Sequence, residues 1–309
     1  MSANGKPGSR ILVVRLGAMG DIIHTLPAVA ALKRSHPESS ITWLVEPQWL
    51  PLLEGNPYLD CVAVLRRKSI VGLLASLREL RANAYDFAVD FQGLLKSAAA
   101  AKAAGVERIY GFHESQVRER PAAIFYTHRI EARAAHIVDR NLELAMACGS
   151  GQPLTPEFPL PAGKPEGELP AGEFVLASPL AGWRSKQWPM EHYQALGARL
   201  QRERGIPLVL NGPPGEGLAH TSSLAGLIDA TRRAAAVVGV DSGPLHLAAA
   251  LGKPGVAIYG PTDPARNGPY GDSVRVLRAP AAYTTYKRDS EIAESMRAIS
   301  PDAVFENLR

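Results

Sequence analysis

A short apolar strand runs straight into a glycine turn ending in a carboxylate, Ile11-Leu-Val-Val-Arg-Leu-Gly17-Ala-Met-Gly20-Asp21, and this constrains the chain more than any other stretch. The second half carries its counterpart, Val237-Val-Gly-Val-Asp241-Ser-Gly243-Pro-Leu-His246. Two strand-turn-helix units in 309 residues predict two α/β domains of about 150 residues, each large enough for its own core. Such a turn leaves unpaired backbone N–H groups at the start of the following helix, where the helix dipole also favours negative charge. Phosphate or carboxylate chemistry is therefore the first expectation.

Apolar runs at Ile11–Leu16, Ile41–Val45, Cys61–Leu65 and Phe87–Phe91 read as strands, with helical spacing or composition at Pro27–Ser35, Ile70–Asn83 and Leu94–Ala104. Alternating β and α predicts a mostly parallel sheet. From Gln152 to Gly172 the prolines exclude both a helix interior and a central strand, which makes this the linker. Strand signals resume at Phe174–Ser178, Pro207–Asn211, Ala235–Val240 and Gly255–Tyr259, with helices at Met190–Arg204 and Pro244–Leu251. The domains are thus expected over 1–160 and 161–309. Helical segments at Glu291–Ile299 and Pro301–Leu308 have the option of packing back on the N-terminal domain.

With 46% hydrophobic and 21% charged residues, disorder is not expected, and Met1–Arg10 carry no apolar run of signal-peptide length. A cytoplasmic protein is expected. Cys61 and Cys148 form no C-x-x-C and read as two buried, reduced thiols. Thirty-four basic against 30 acidic side chains are too balanced for a nucleic-acid stripe. The local clusters matter more: Arg66, Arg67 and Lys68, then Arg118, Arg120, Arg129 and Arg133, all fall in loop-like parts of the first half, which suits an anionic partner.

Gly17 and Gly20 permit the first turn, and Asp21 falls at the following helix start, where it serves either as a cap or as a general base for a substrate hydroxyl. The pattern lacks G-x-G-x-x-G and is not the dinucleotide fingerprint. In the second unit Asp241, Ser242, Gly243 and Pro244 place a cap residue, a glycine and a helix-starting proline in succession, with His246 on the first turn. Free amides there suit a pyrophosphate. Lys186, bracketed by Trp183 and Trp188, follows a strand's carboxyl end, where open α/β sheets bind ligands, and is a phosphate cation candidate. Glu216 follows the next strand and has the address of a nucleoside ribose partner.

Taken together these residues resemble the glycosyltransferase family 9 heptosyltransferases, with G-x-M-G-D-x-x-H-T-L-P at Gly17–Pro27, D-x-Q-G-x-x-K-S-A at Asp90–Ala98, G-W-x-S-K-x-W-P at Gly182–Pro189 and D-S-G-P-x-H-L-A-A-A-L-G-x-P at Asp241–Pro254. The segment Gly111–Asn141 is similar to the lipopolysaccharide heptosyltransferase I subfamily. The resemblance implies a GT-B fold, two Rossmann-like domains facing across a cleft. It implies an ADP-heptose donor on the C-terminal domain, held by Lys186, Glu216, Asp241, Ser242, Gly243 and His246, and a lipid A–Kdo acceptor on the N-terminal domain. Gly20, Arg66, Arg67, Lys68, Gln92, Lys96, Arg118 and Arg120 are the acceptor candidates. Inversion at the anomeric carbon with Asp21 as base, no metal, no cofactor, a monomer and a transient contact with the inner membrane's cytoplasmic face complete the expectation.

The chain departs from the family where Ala181-Gly182 replace a common hydroxyl residue and where the segment between Glu216 and Ala235 is short, which bears on the base and sugar of the donor. A transferase using another nucleotide sugar, a GT-B-like sugar-nucleotide epimerase and a non-enzymatic sugar-binding protein are the competing readings.

Overall fold

Four successive residues of the first strand, Ile11 to Val14, are wholly shielded from water, as a strand buried on both faces of a parallel sheet must be. The computed structural model describes residues 8–285 and 289–308, so Met1–Pro7 of the polar leader lie outside the described residues. The chain divides into two compact units, Met1–Pro161 and Ala162–Arg309. No regular helix or strand occurs over 152–172.

The first unit holds β1 (Arg10–Val14), β2 (Ser40–Val45), β3 (Cys61–Val64), β4 (Phe87–Asp90), β5 (Arg108–Phe112) and β6 (His128–Ile130). They form one sheet in the order β3-β2-β1-β4-β5-β6, every pair parallel. Leu12 and Val14 point to one face, where Leu80, Ala98, Ala101 and Tyr126 from the covering helices complete the core.

In the second unit β7 (Val175–Ser178), β8 (Leu208–Gly212), β9 (His220–Thr221), β10 (Ala236–Val240), β11 (Gly255–Tyr259) and β12 (Val274–Arg278) pair, again all parallel, in the order β12-β11-β10-β7-β8-β9. Counted from its own first strand, this is the same arrangement as in the first unit. Both are Rossmann sheets, and in each the strand order reverses beside the first strand, between β1 and β4 and between β7 and β10. The fold therefore provides a ligand crevice at the carboxyl end of each pair.

One expectation changes. Cys61 is exposed, because β3 is an edge strand, whereas Cys148 is buried and its thiol is pushed up by desolvation. The helix Pro301–Asn307 packs on its own unit. Its Phe305 lies under the guanidinium groups of Arg199 and Arg204, at 4.0 and 4.3 Å, and Val304 joins the core of Trp188, Tyr193 and Leu200. An aromatic ring beneath two arginines of the helix Met190–Arg204 explains why the C-terminal segment stays there.

At the carboxyl end of β4, Asp90 is wholly buried and accepts hydrogen bonds from Tyr126 Oη (2.7 Å), Ser97 Oγ (2.8 Å) and the Gln92 amide (2.8 Å). Burial pushes its carboxyl up and these donors oppose that shift. Tyr126→Phe removes one donor from a buried carboxylate and is expected to destabilise the first unit by about 1–3 kcal/mol. Urea denaturation measures it, and an unchanged midpoint would remove this bond from the unit's stability.

Candidate active site

A charged residue at the end of an apolar central strand has to find a partner. Arg15, only 4% exposed, directs one guanidinium nitrogen at the carbonyl of Phe91 and the other at Asp21 Oδ1, 3.0 Å away. Asp21 is the third residue of the helix Met19–Ile23, and its Oδ2 also accepts the Ala18 amide at 3.3 Å. A carboxylate at this position complements the helix dipole. Gln92 Oε1, leaving β4, takes the amides of Leu16 (2.9 Å) and Gly17 (3.3 Å), so it pins the turn to the neighbouring strand. A Cβ on Gly17 would lie 2.5 Å from Trp49 Nε1, which is why glycine stands there.

Of the expected acceptor residues, Gly20 is buried inside the Asp21 helix, where its carbonyl accepts the His24 amide. Arg118 reaches 3.9 Å from Asp21 Oδ2, carried by a loop whose Glu119 amide binds the carbonyl of Gly93. Arg120 is exposed at the start of a short 3-10 helix, and the contact with Asp21 is made by Arg118.

Glu46, at the end of β2, was not legible from sequence and organises the rest. It is 8% exposed, and its Oε1 accepts both Arg67 Nε (2.6 Å) and Lys96 Nζ (3.0 Å), while Oε2 takes Gln48 (2.9 Å). Burial pushes this carboxyl up, but the hydrogen bonds outweigh it and hold the group below the ordinary carboxylate range. Glu46, Gln48, Arg66, Arg67, Lys68 and Ser69 line a pocket of about 310 Å³. Lys96 and Arg67 are thus engaged through one carboxylate, Arg66 faces Glu79 at 3.5 Å, and Lys68 is exposed.

In the second unit Lys186 closes the 3-10 turn Arg184–Lys186 after β7, and Asp241 follows β10, so the switch point brings them together. Lys186 Nζ lies 2.6 Å from Asp241 Oδ2 and 4.4 Å from the centre of the Trp183 ring, with His246 Nε2 3.7 Å from Oδ1. Burial pushes the Asp241 carboxyl up, but the facing His246 and the Lys186 ammonium outweigh it and hold the group well below the ordinary range.

Ser242 is the cap residue of the helix Gly243–Ala250, yet its side chain makes no capping bond, and its Oγ is buried without a protein partner. Because Pro244 has no N–H, the donors at this helix end are the Ser242 and Gly243 amides and the Ser242 hydroxyl. Glu216 lies exposed in the loop after β8, outside the Lys186–Asp241 cluster. Among the described residues no group of three His, Cys, Asp or Glu is placed to hold a metal ion, and no helix is long and apolar enough to cross a membrane.

The folded-state pKa of Asp241 lies below the unfolded value of about 3.9, so the unfolded chain binds this proton more readily. The stabilisation from the pair is therefore full above about pH 5 and is lost as the pH falls below about 4. Asp241→Asn is expected to be less stable than the parent at neutral pH, with the difference shrinking on acidification. Denaturation monitored by tryptophan fluorescence checks this, and a pH-independent difference contradicts it.

Known proteins share this architecture. Residues 73–296 match glycosyltransferase family 9 (heptosyltransferase). Lipopolysaccharide heptosyltransferase 1 of Escherichia coli K12 is 35% identical over 306 residues, covering 88% of this chain and 94% of that protein. The structures of the E. coli heptosyltransferase WaaC with ADP and with ADP-2-deoxy-2-fluoro heptose each superpose with a TM-score of 0.77 at 29% identity, over 96% of this chain and 98% of theirs. The chain belongs to glycosyltransferase family 9, the heptosyltransferases, and is a transferase with the paired Rossmann domains of the GT-B fold.

Proposed function

We propose that this enzyme transfers a heptose from ADP-heptose, with inversion, to the Kdo region of a lipid A–Kdo acceptor of the lipopolysaccharide inner core. One observation carries the reading: each Rossmann sheet gathers complementary chemistry at its switch point, a positioned carboxylate in the first unit and a cation with a free helix end in the second. The names of its relatives support the substrates.

In this mechanism an acceptor hydroxyl oxygen attacks the anomeric carbon as its proton passes to Asp21. The bond from that carbon to the ADP β-phosphate oxygen breaks, and the electron pair leaves with ADP. Arg15, the Ala18 amide and Gln92 hold the base and its turn in place. Lys186 and the amides at Gly243 offset the charge developing on the leaving diphosphate, so neither a metal nor a cofactor is required. Ser242 and His246 add hydrogen bonds, Asp241 holds Lys186, and Glu216 takes the ribose. The Glu46 pocket with Arg66, Arg67, Lys68 and Lys96, together with Arg118, Arg120 and the Gly20 turn, receives the anionic acceptor. The enzyme works as a monomer at the cytoplasmic face of the inner membrane.

Incubation with ADP-heptose, with and without lipid A–Kdo, is expected to release ADP only when the acceptor is present. ADP-heptose consumed without acceptor, or no ADP in either arm, overturns the reading. Asp21→Asn should lower turnover about 10²–10⁴-fold with ADP affinity retained. Lys186→Ala should weaken ADP binding in calorimetry. Near-normal turnover in the first variant, or unchanged ADP affinity in the second, removes the role assigned.

The acceptor assignment has its own test. Neutralising Arg66, Arg67 and Lys68 together is expected to raise the apparent KM for acceptor while ADP binding stays as it was. Normal use of acceptor by the triple variant would make these residues surface charge.

A further inference from the structure

The helix Ile70–Ala82, which leaves the edge strand β3, turns apolar side chains to water where a surface helix should be polar. Ile70, Val71 and Leu74 are 78%, 79% and 61% exposed. The adjoining stripe is packed: Leu73, Leu77 and Leu80 meet the core, and Ser76 Oγ, which is buried, bonds both the Gly72 carbonyl (2.9 Å) and the Arg66 amide (3.1 Å). The exposed apolar residues are therefore not a misplaced core face. Scattered exposed leucines are ordinary, but three large aliphatic side chains within one and a half turns form a patch.

Charge identifies what covers the patch. Arg66, Arg67 and Lys68 precede the helix, and Arg78 and Arg81 continue the face of Ile70 and Leu74 at i+8 and i+11, all exposed. The one acidic residue on this segment, Glu79, faces Arg66. Aliphatic side chains at the front of a helix flanked by arginines and a lysine match the boundary between acyl chains and anionic head groups. The placement agrees. In a parallel sheet all strands end at one edge, so the start of this helix lies at the edge that also carries Asp21. Leu95, 44% exposed, opens the next helix at that edge.

We propose that the exposed face of the helix Ile70–Ala82 is a membrane-docking surface, with Ile70, Val71 and Leu74 inserting at an anionic lipid bilayer and Arg78 and Arg81 lying on its phosphates. The choice of a lipid surface rests in part on the lipid-linked acceptor proposed above, and it adds the residues that enter the bilayer. These residues serve adsorption and take no part in turnover.

Flotation of the full-length chain with acceptor-free vesicles of phosphatidylethanolamine and phosphatidylglycerol tests it, with phosphatidylcholine vesicles as the comparison. The chain should float with the anionic vesicles and be released by added salt. The triple variant Ile70→Gln, Val71→Gln, Leu74→Gln, which keeps good helix formers at exposed positions, should lose binding by about tenfold or more. It should retain ADP affinity and turnover on detergent-dispersed acceptor. Arg78→Glu with Arg81→Glu should lose binding to anionic vesicles independently, which keeps the test decisive if the triple variant folds poorly.

Absence of vesicle binding by the parent chain, or equal binding by both variants, overturns the proposal. So does a concentration-dependent dimer in sedimentation velocity that the triple variant abolishes, since the face would then join copies of the chain. Because the vesicles contain no acceptor, a wrong acceptor assignment leaves this result untouched.

Discussion

The guanidinium of Arg15 is the point on which the first unit's chemistry depends. It sits just past the buried apolar run Ile11–Val14, where an unpaired charge would be costly, and two segments meet its demand. Phe91, just past β4, offers its carbonyl and the helix after the turn offers Asp21, while Trp43 of β2 steadies the Arg15 backbone by donating to its carbonyl at 3.0 Å. The same interaction that makes a buried arginine tolerable therefore fixes the direction of the catalytic candidate. It also couples stability to function. Removing the Asp21 charge leaves Arg15 partly uncompensated, although the 32% exposure of the Asp21 side chain lets water share the load. An amide that keeps the shape is accordingly the informative replacement.

The second unit solves a related problem with reversed emphasis. Here cation and carboxylate are shielded to nearly the same degree, and the carboxylate holds the cation in place. Lys186, a flexible side chain with substantial rotamer entropy, is held between Asp241 and the Trp183 ring before any ligand arrives. Holding it in advance lowers the entropic cost of any contact the ammonium goes on to make. The orphaned Ser242 hydroxyl beside it fits the same logic, since a cap residue that does not cap its helix keeps its oxygen for another partner.

How far the sequence carried these conclusions depended on the kind of signal. Central strands such as β1 and β10 are continuous apolar runs, and their ends came within a residue or two of the observed ones. β6 and β12, edge strands of their sheets, escaped notice because polar residues occupy them, His128 and Arg129 in the first and Arg275 and Arg278 in the second, and β5 because Gly111 breaks its short apolar run. The helices Ile137–Ala147 and Leu224–Arg233 were also missed, although the second begins with a Ser223 cap and has a clear apolar face. Asp21, Lys186, Asp241 and Ser242 were legible because glycine, proline and capping chemistry are local. Glu46 was not, since its partners Arg67 and Lys96 lie 21 and 50 positions away. Arg15 left a trace that sequence reading can use: a lone charge in an apolar strand.

Counting basic residues, finally, overstated one thing and hid another. Arg67 and Lys96 are not free positive charges, because both are tied to Glu46. Yet they converge on a single oxygen of that carboxylate, so two cations meet one anion, and the surplus sits at the wall of the 310 Å³ pocket with Lys68 beside it. A surplus charge held by a buried partner cannot swing away to be neutralised elsewhere, as a solvated lysine does. It acts as a fixed field. The first unit thereby carries a fixed positive field at one defined place, although the net charge of the chain is only +4.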